Sequence, residues 1–199
     1  MKTIYAYYES LLSKDQSIEF AKANLWKDSW SRAGWNPVML NSSHAQISPQ
    51  RIKLTKKMMS VYPLLNRQKN ESQDILQMRW NRLCSLHAAG GGWISDYDVV
   101  NLGFTPTMGL EWEKSPFVIA GKPANVMYIS REICNAAMNK ILSSEMISED
   151  GVIFYEKDIF VPFLDFVDHS SLCHAQDYEK MKKIYEDYLT SQNIIVEVN

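Results

Sequence analysis

The sequence predicts an α/β fold on three observations. Its opening reads strand, helix, strand; its 199 residues suffice for one domain; and its composition is that of a globular protein. The first strand is Thr3-Ile4-Tyr5-Ala6-Tyr7-Tyr8, β-branched and aromatic, which gives way to the polar stretch Glu9 to Gln16. From Ser17 as N-cap, Ile18, Ala21, Leu25, Trp26, Ser29, Trp30 and Ala33 recur at three- and four-residue steps, and Gly34 supplies the stop, so this segment reads as an amphipathic helix. Trp35-Asn36-Pro37 then turns the chain into a second strand, Val38-Met39-Leu40. A second helix is signalled by Ser72 as N-cap and by Leu76, Trp80, Leu83, Cys84 and His87 on one face, closing at Gly90. Beyond it the pattern predicts strands at 117–120 and 126–129, a helix from Ser130 to about Leu142, a strand at 152–155, a charged helix over 175–190 and a last strand at 194–198.

Composition narrows the function. With 46% hydrophobic and 22% charged residues the chain is neither disordered nor a disulfide scaffold, and a formal net charge of -2 lacks the basic footprint of a duplex-binding domain, so nucleic acid is not the expected partner. Cys84, Cys134 and Cys173 form no CxxC pair, which favours a reducing compartment. The N-terminus reaches Glu9, Ser10 and Lys14 without an apolar stretch, and no run of about 18 apolar residues follows, so neither a signal peptide nor a membrane span is expected and a cytoplasmic location is. The even balance hides a dipolar layout. No acid occurs between Asp28 and Glu71, where Arg32, Arg51, Lys53, Lys56, Lys57, Arg67 and Lys69 fall, whereas residues 145–199 hold twelve acids against four bases. The basic segment reads as a solvated face or as a surface for phosphate, an anionic glycan or a membrane.

The chemistry concentrates in Gly90-Gly91-Gly92-Trp93-Ile94-Ser95-Asp96-Tyr97-Asp98. Three glycines permit a tight turn and close backbone approach, a short apolar strand follows, and two carboxylates stand at its end. On a regular strand Asp96 and Asp98 would point the same way, a repulsive arrangement that a divalent cation relieves. Oxygen ligands select hard ions, Mn²⁺ or Mg²⁺, which in turn clamp a diphosphate leaving group.

Arg79-Trp80, the helix leading to Ala89, and Gly-Gly-Gly-Trp-Ile-Ser-Asp-Tyr-Asp-Val together resemble the sugar transferases with a DxD-containing sugar-binding region, of the capsular polysaccharide and initiating mannosyltransferase type. Ile94 stands where that family often has Tyr, and Arg79 and Arg82 both lie farther from the glycines than its commonest spacing. The resemblance implies a single GT-A-like (Rossmann-like) domain over 1–199, a mixed central sheet flanked by helices. Residues 1–103 would be the nucleotide-sugar-binding half and 104–199 the acceptor side. It implies Asp98 as direct metal ligand, Asp96 on the ribose or a metal-bound water, the backbone around Tyr97 facing the nucleotide, and Arg79, or Arg82 in its place, on the donor's phosphates or sugar. Tyr7 and Tyr8 end the first strand, where either would stack on a uracil base or simply fill the core. His169 would complete the metal shell, in preference to His174, while a zinc site built on His169, Cys173 and His174 lacks a second ligand pair. His44 and His87 are read as structural.

The implied activity is transfer of a sugar from a nucleotide-diphosphate donor, expected to be UDP-linked, to a glycan or polysaccharide acceptor with retention of configuration. No catalytic base is then assigned. Inversion would require one, from among Asp165, Asp168 and Glu132. Two other readings stand beside it. One is a haloacid-dehalogenase-type phosphotransferase with Asp96 as nucleophile, although no later acidic motif completes its metal site. The other is a non-catalytic nucleotide-sugar-binding module, since 199 residues is short for the fold and further domains of a larger protein would complete the acceptor side.

Overall fold

The computed structural model describes residues 1–9, 16–69, 73–113, 117–120, 126–143, 165–167, 172–173, 183–184 and 187. In chain order these form β1 (Thr3–Tyr7), α1 (Gln16–Arg32), β2 (Asn36–Leu40), α2 (Ser42–Ile47), α3 (Arg51–Lys69), α4 (Gln73–Ala88), β3 (Gly91–Ser95), β4 (Val100–Asn101), α5 (Pro106–Trp112), β5 (Phe117–Ala120), β6 (Val126–Ser130), α6 (Arg131–Ser143), β7 (Asp165–Val167) and β8 (Leu172–Cys173). Six strands make one mixed sheet in the order β2-β1-β3-β6-β5-β7, and β4 pairs with β8 apart from it. β1 runs parallel to both β2 and β3, whereas β6 is antiparallel to β3 and to β5. The chain is therefore α/β, a mixed sheet flanked by helices.

Strand alternation separates two cores. Ile4 and Ala6 of β1 and Trp93 of β3 join Trp26 and Trp30 of α1, Trp35, Val99 and Phe104 on one face. Tyr5 and Ile94 turn to the other, where they meet Leu54 and Met58 of α3, Leu83 and Cys84 of α4 and Ile133, Cys134 and Ala137 of α6. The aromatic core is also hydrogen-bonded: Trp30 Nε1 donates to Val99 O (3.1 Å) and Trp35 Nε1 to Phe104 O (2.7 Å), so indole nitrogens that would otherwise be stranded pin the segment after β3 onto α1 and the turn that follows it. β6 and α6, from the second half of the chain, share the sheet and core of the first.

The predicted opening is present, with α1 starting at Gln16, so that Ser17 lies inside the helix instead of capping it. The helix ending before Gly90 is α4, and the segments at 117–120, 126–129 and 130–142 are β5, β6 and α6. Three helices were not anticipated, α2, α3 and the short α5. α2 and α3 occupy the basic stretch, and in the first half of α3 the buried side chains are Leu54 and Met58, too few for an apolar stripe to stand out. The strands expected at 152–155 and 194–198 lie outside the described residues, as does most of the helix expected at 175–190.

Candidate functional site

From β1 the chain passes through α1 to β2 on one side, then through α2, α3 and α4 to β3 on the other. The carboxyl ends of β1 and β3 thus flank the point where strand order reverses, the place where open α/β sheets bind ligands. Tyr7, Tyr8 and Glu9 emerge there from β1, and Asp96, Tyr97 and Asp98 from β3.

The strand ends at Ser95, and Val99 N–H donates to Asp96 O (3.2 Å), closing a turn over Asp96-Tyr97-Asp98-Val99. This corrects the expectation that the two carboxylates share one face of a regular strand. Trp26 Nε1 donates to Ser95 Oγ (2.7 Å) on the α1 side, which fixes where the turn begins. Asp96 then goes to the α4 side, with Arg82 Nη1 2.7 Å from Asp96 Oδ1. Tyr97 goes to the α1 side, donating its hydroxyl to Glu19 Oε2. Glu19, itself buried, also accepts from Lys22 Nζ (2.9 Å). Across the crevice the Tyr8 and Tyr97 rings meet edge to face with centroids 5.3 Å apart.

The electrostatics follow from this layout. Burial holds the Asp98 carboxyl above the usual carboxylate range, and the charge on Asp96 and, less strongly, on Glu19 adds to the effect against a backbone hydrogen bond and Lys22. Burial raises the Tyr97 phenol as well, reinforced by its bond to Glu19 and by the charges of Glu19 and Asp98, so it stays a neutral donor. Tyr7, donating to Glu9 Oε2 at 2.5 Å, is raised for the same reasons, burial first.

Of the anticipated residues, the structure brings together Tyr8, Asp96, Tyr97 and Asp98, and Arg82 is the arginine that reaches Asp96. Arg79 lies one turn earlier on α4, half-buried. His169 and His174 fall outside the described residues, as does Asp168. Glu132 is exposed at the start of α6 beside Ser130, which pairs with Gly91 at the amino end of β3. It is therefore a strand's length from Asp96 and no candidate base. Glu19, Lys22 and Glu9 were missed; a first-turn Glu with a Lys three residues on signals only an exposed pair.

His87 is structural: Asn135 Oδ1 accepts from Nε2–H (2.8 Å), which leaves Nδ1 to accept from the Ser48 hydroxyl (3.2 Å). His44 completes a capping box with Asn41. Burial pushes the Cys84 thiol up to about 11, against the pull of Ser48 and Arg51, so it is no nucleophile at neutral pH.

Among the described residues no group of three or more His, Cys, Asp or Glu stands together as a metal cage. Asp96 and Asp98 offer oxygen donors of the kind that hold Mg²⁺ or Mn²⁺ through one or two carboxylates plus substrate phosphates. Also among the described residues, no helix is long and apolar enough to cross a membrane. Comparison with known proteins returned no match: no family model fits the chain, and no curated protein or solved structure is significantly similar to it.

Proposed function

We propose that the chain is a metal-dependent glycosyltransferase of GT-A-like fold that moves a sugar from a nucleotide-diphosphate donor, UDP-linked, to a glycan or polysaccharide acceptor. The observation that carries this reading is the carboxylate turn at the strand-order switch, with Arg82 on one side and the Tyr8–Tyr97 pair on the other. Asp98 and Asp96 would hold the ion, which supplies charge neutralisation at the departing diphosphate. Asp98 suits the role because its charge is poorly compensated in the protein alone.

The chain's own groups have distinct tasks in this reading. Arg82 orients Asp96, and its planar guanidinium is matched to phosphate oxygens that would come to lie beside it. The two tyrosine rings offer an aromatic edge and face for the base, and Glu19 anchors Tyr97 through its hydroxyl. Placing donor and acceptor together while shielding the bond to be broken accounts for a retaining transfer without a dedicated base.

Arg82→Ala is expected to weaken UDP binding by about tenfold or more, as loss of a charge-assisted contact does. Arg79→Ala should have a smaller effect; the opposite ranking in a titration would move the phosphate contact one turn along α4. Incubation with UDP-sugars tests turnover. Release of UDP with a glycosylated acceptor supports transfer, binding without turnover identifies a nucleotide-sugar-binding module, and phosphate release from phosphomonoesters identifies the Asp96 phosphotransferase.

A further inference from the structure

Helix α3 presents an outward face of unusual composition. Leu54 and Met58 enter the core, so with 3.6 residues per turn Lys56 is the centre of the opposite side. On one flank of Lys56 stand Ile52, 67% exposed, and Met59, 44% exposed. On the other stand Lys53 and Ser60, with Lys57 half-buried beside them. Ile47, at the end of α2 and 72% exposed, lies four residues before α3 begins. No acid occurs anywhere from residue 29 to residue 70 to offset these lysines. An exposed apolar row beside an exposed basic row is costly in water and has one physical complement: an interface with negative charge above an apolar slab.

We propose that the α2–α3 face docks the protein on an anionic bilayer surface, with Ile47, Ile52 and Met59 entering the headgroup boundary and Lys53, Lys56 and Lys57 pairing with lipid phosphates. Lysine suits this because its methylene stem lies along the apolar layer while its ammonium stays at the phosphates. Nucleic acid or a sulfated glycan would satisfy the charge and leave the apolar row in water. The surface adjoins the candidate site: α3 begins at Arg51, whose charge acts on Tyr7 at the end of β1. This docking does not depend on sugar transfer.

The test is flotation of the purified chain with phosphatidylcholine vesicles, with and without phosphatidylglycerol, at low and high salt. The native chain is expected to float with the anionic vesicles and stay behind with the neutral ones, and salt should weaken binding without abolishing it. Lys53→Glu with Lys56→Glu should lower the apparent affinity by about tenfold or more. Ile52→Ser with Met59→Ser should do likewise by removing the inserted row, roughly tenfold. All four side chains are exposed, and an unchanged thermal melt shows that the variants fold. Failure of the native chain to float, or anionic-vesicle binding unaffected by either double substitution, overturns the proposal. So does loss with the lysine pair alone, which would show that the apolar row takes no part in binding.

Discussion

Replacing Asp98 by Asn is expected to abolish Mn²⁺-dependent nucleotide binding, a loss of about a hundredfold or more for a direct ligand, while leaving the fold at neutral pH at least as stable as before. The second half of that expectation separates a functional carboxylate from a structural one. Asp98 has its pKa raised in the folded protein, by burial first and by Asp96 next. Between the unfolded and folded pKa values the native state therefore binds more protons than the unfolded chain, and stability falls as pH rises through that window. Above both values the penalty is fully present; below both it is absent. Asn carries no such penalty, so thermal melts followed from about pH 4 to 7 should decline for the native chain and flatten for the variant. A variant that melts well below the native protein at pH 7 would show that the Asp98 carboxylate stabilises the fold, contrary to this account.

Gly91→Ala is expected to cost about 3 kcal/mol or more of stability, through positive-φ strain and a backbone collision together. At φ 81 the residue sits where side chains are disfavoured, and an added Cβ would stand 2.6 Å from Arg131 N, 2.7 Å from Ile129 O and 2.8 Å from the Ser130 carbonyl carbon. None of these backbone atoms can turn aside, so β3 or the β6–α6 junction must shift. Gly90 provides the control, since its φ of 94 is also left-handed but nothing lies within 4 Å of its Cβ direction. Gly90→Ala should cost only the conformational part, about 1 kcal/mol. Equal losses in denaturant unfolding would mean that the close approach at Gly91 is not the reason for the glycine. Because Gly91 and Asp96 belong to one strand and its end, the register set at Gly91 also sets where the carboxylates emerge.

Much of this architecture was legible from side-chain periodicity. Trp26, Trp30, Trp80 and Leu83 recur at helical steps and lie in the cores that those steps imply. The glycines announced a close backbone approach, and Gly91 makes one. Helix α3 escaped because only Leu54 and Met58 are buried in its first half, and an outward face carrying Ile52 and Met59 beside the lysines blurs the apolar stripe that marks a helix. The direction of the carboxylates escaped for a different reason: a turn closed by Val99 N–H to Asp96 O interrupts strand alternation, and nothing in Asp-x-Asp distinguishes the two geometries. The choice between Arg79 and Arg82 depended on where α4 meets β3, which is a matter of one helical turn. Glu19 was invisible because the phenol that donates to it, Tyr97, lies 78 residues away.

The central claim is a metal-dependent nucleotide site at the carboxyl ends of β1 and β3. Calorimetric titration of the purified chain with UDP and with GDP, each with and without Mn²⁺, tests it most directly. The account predicts UDP binding at about micromolar affinity that disappears when the metal is chelated. Absence of binding by either nucleotide, with metal present, would contradict it.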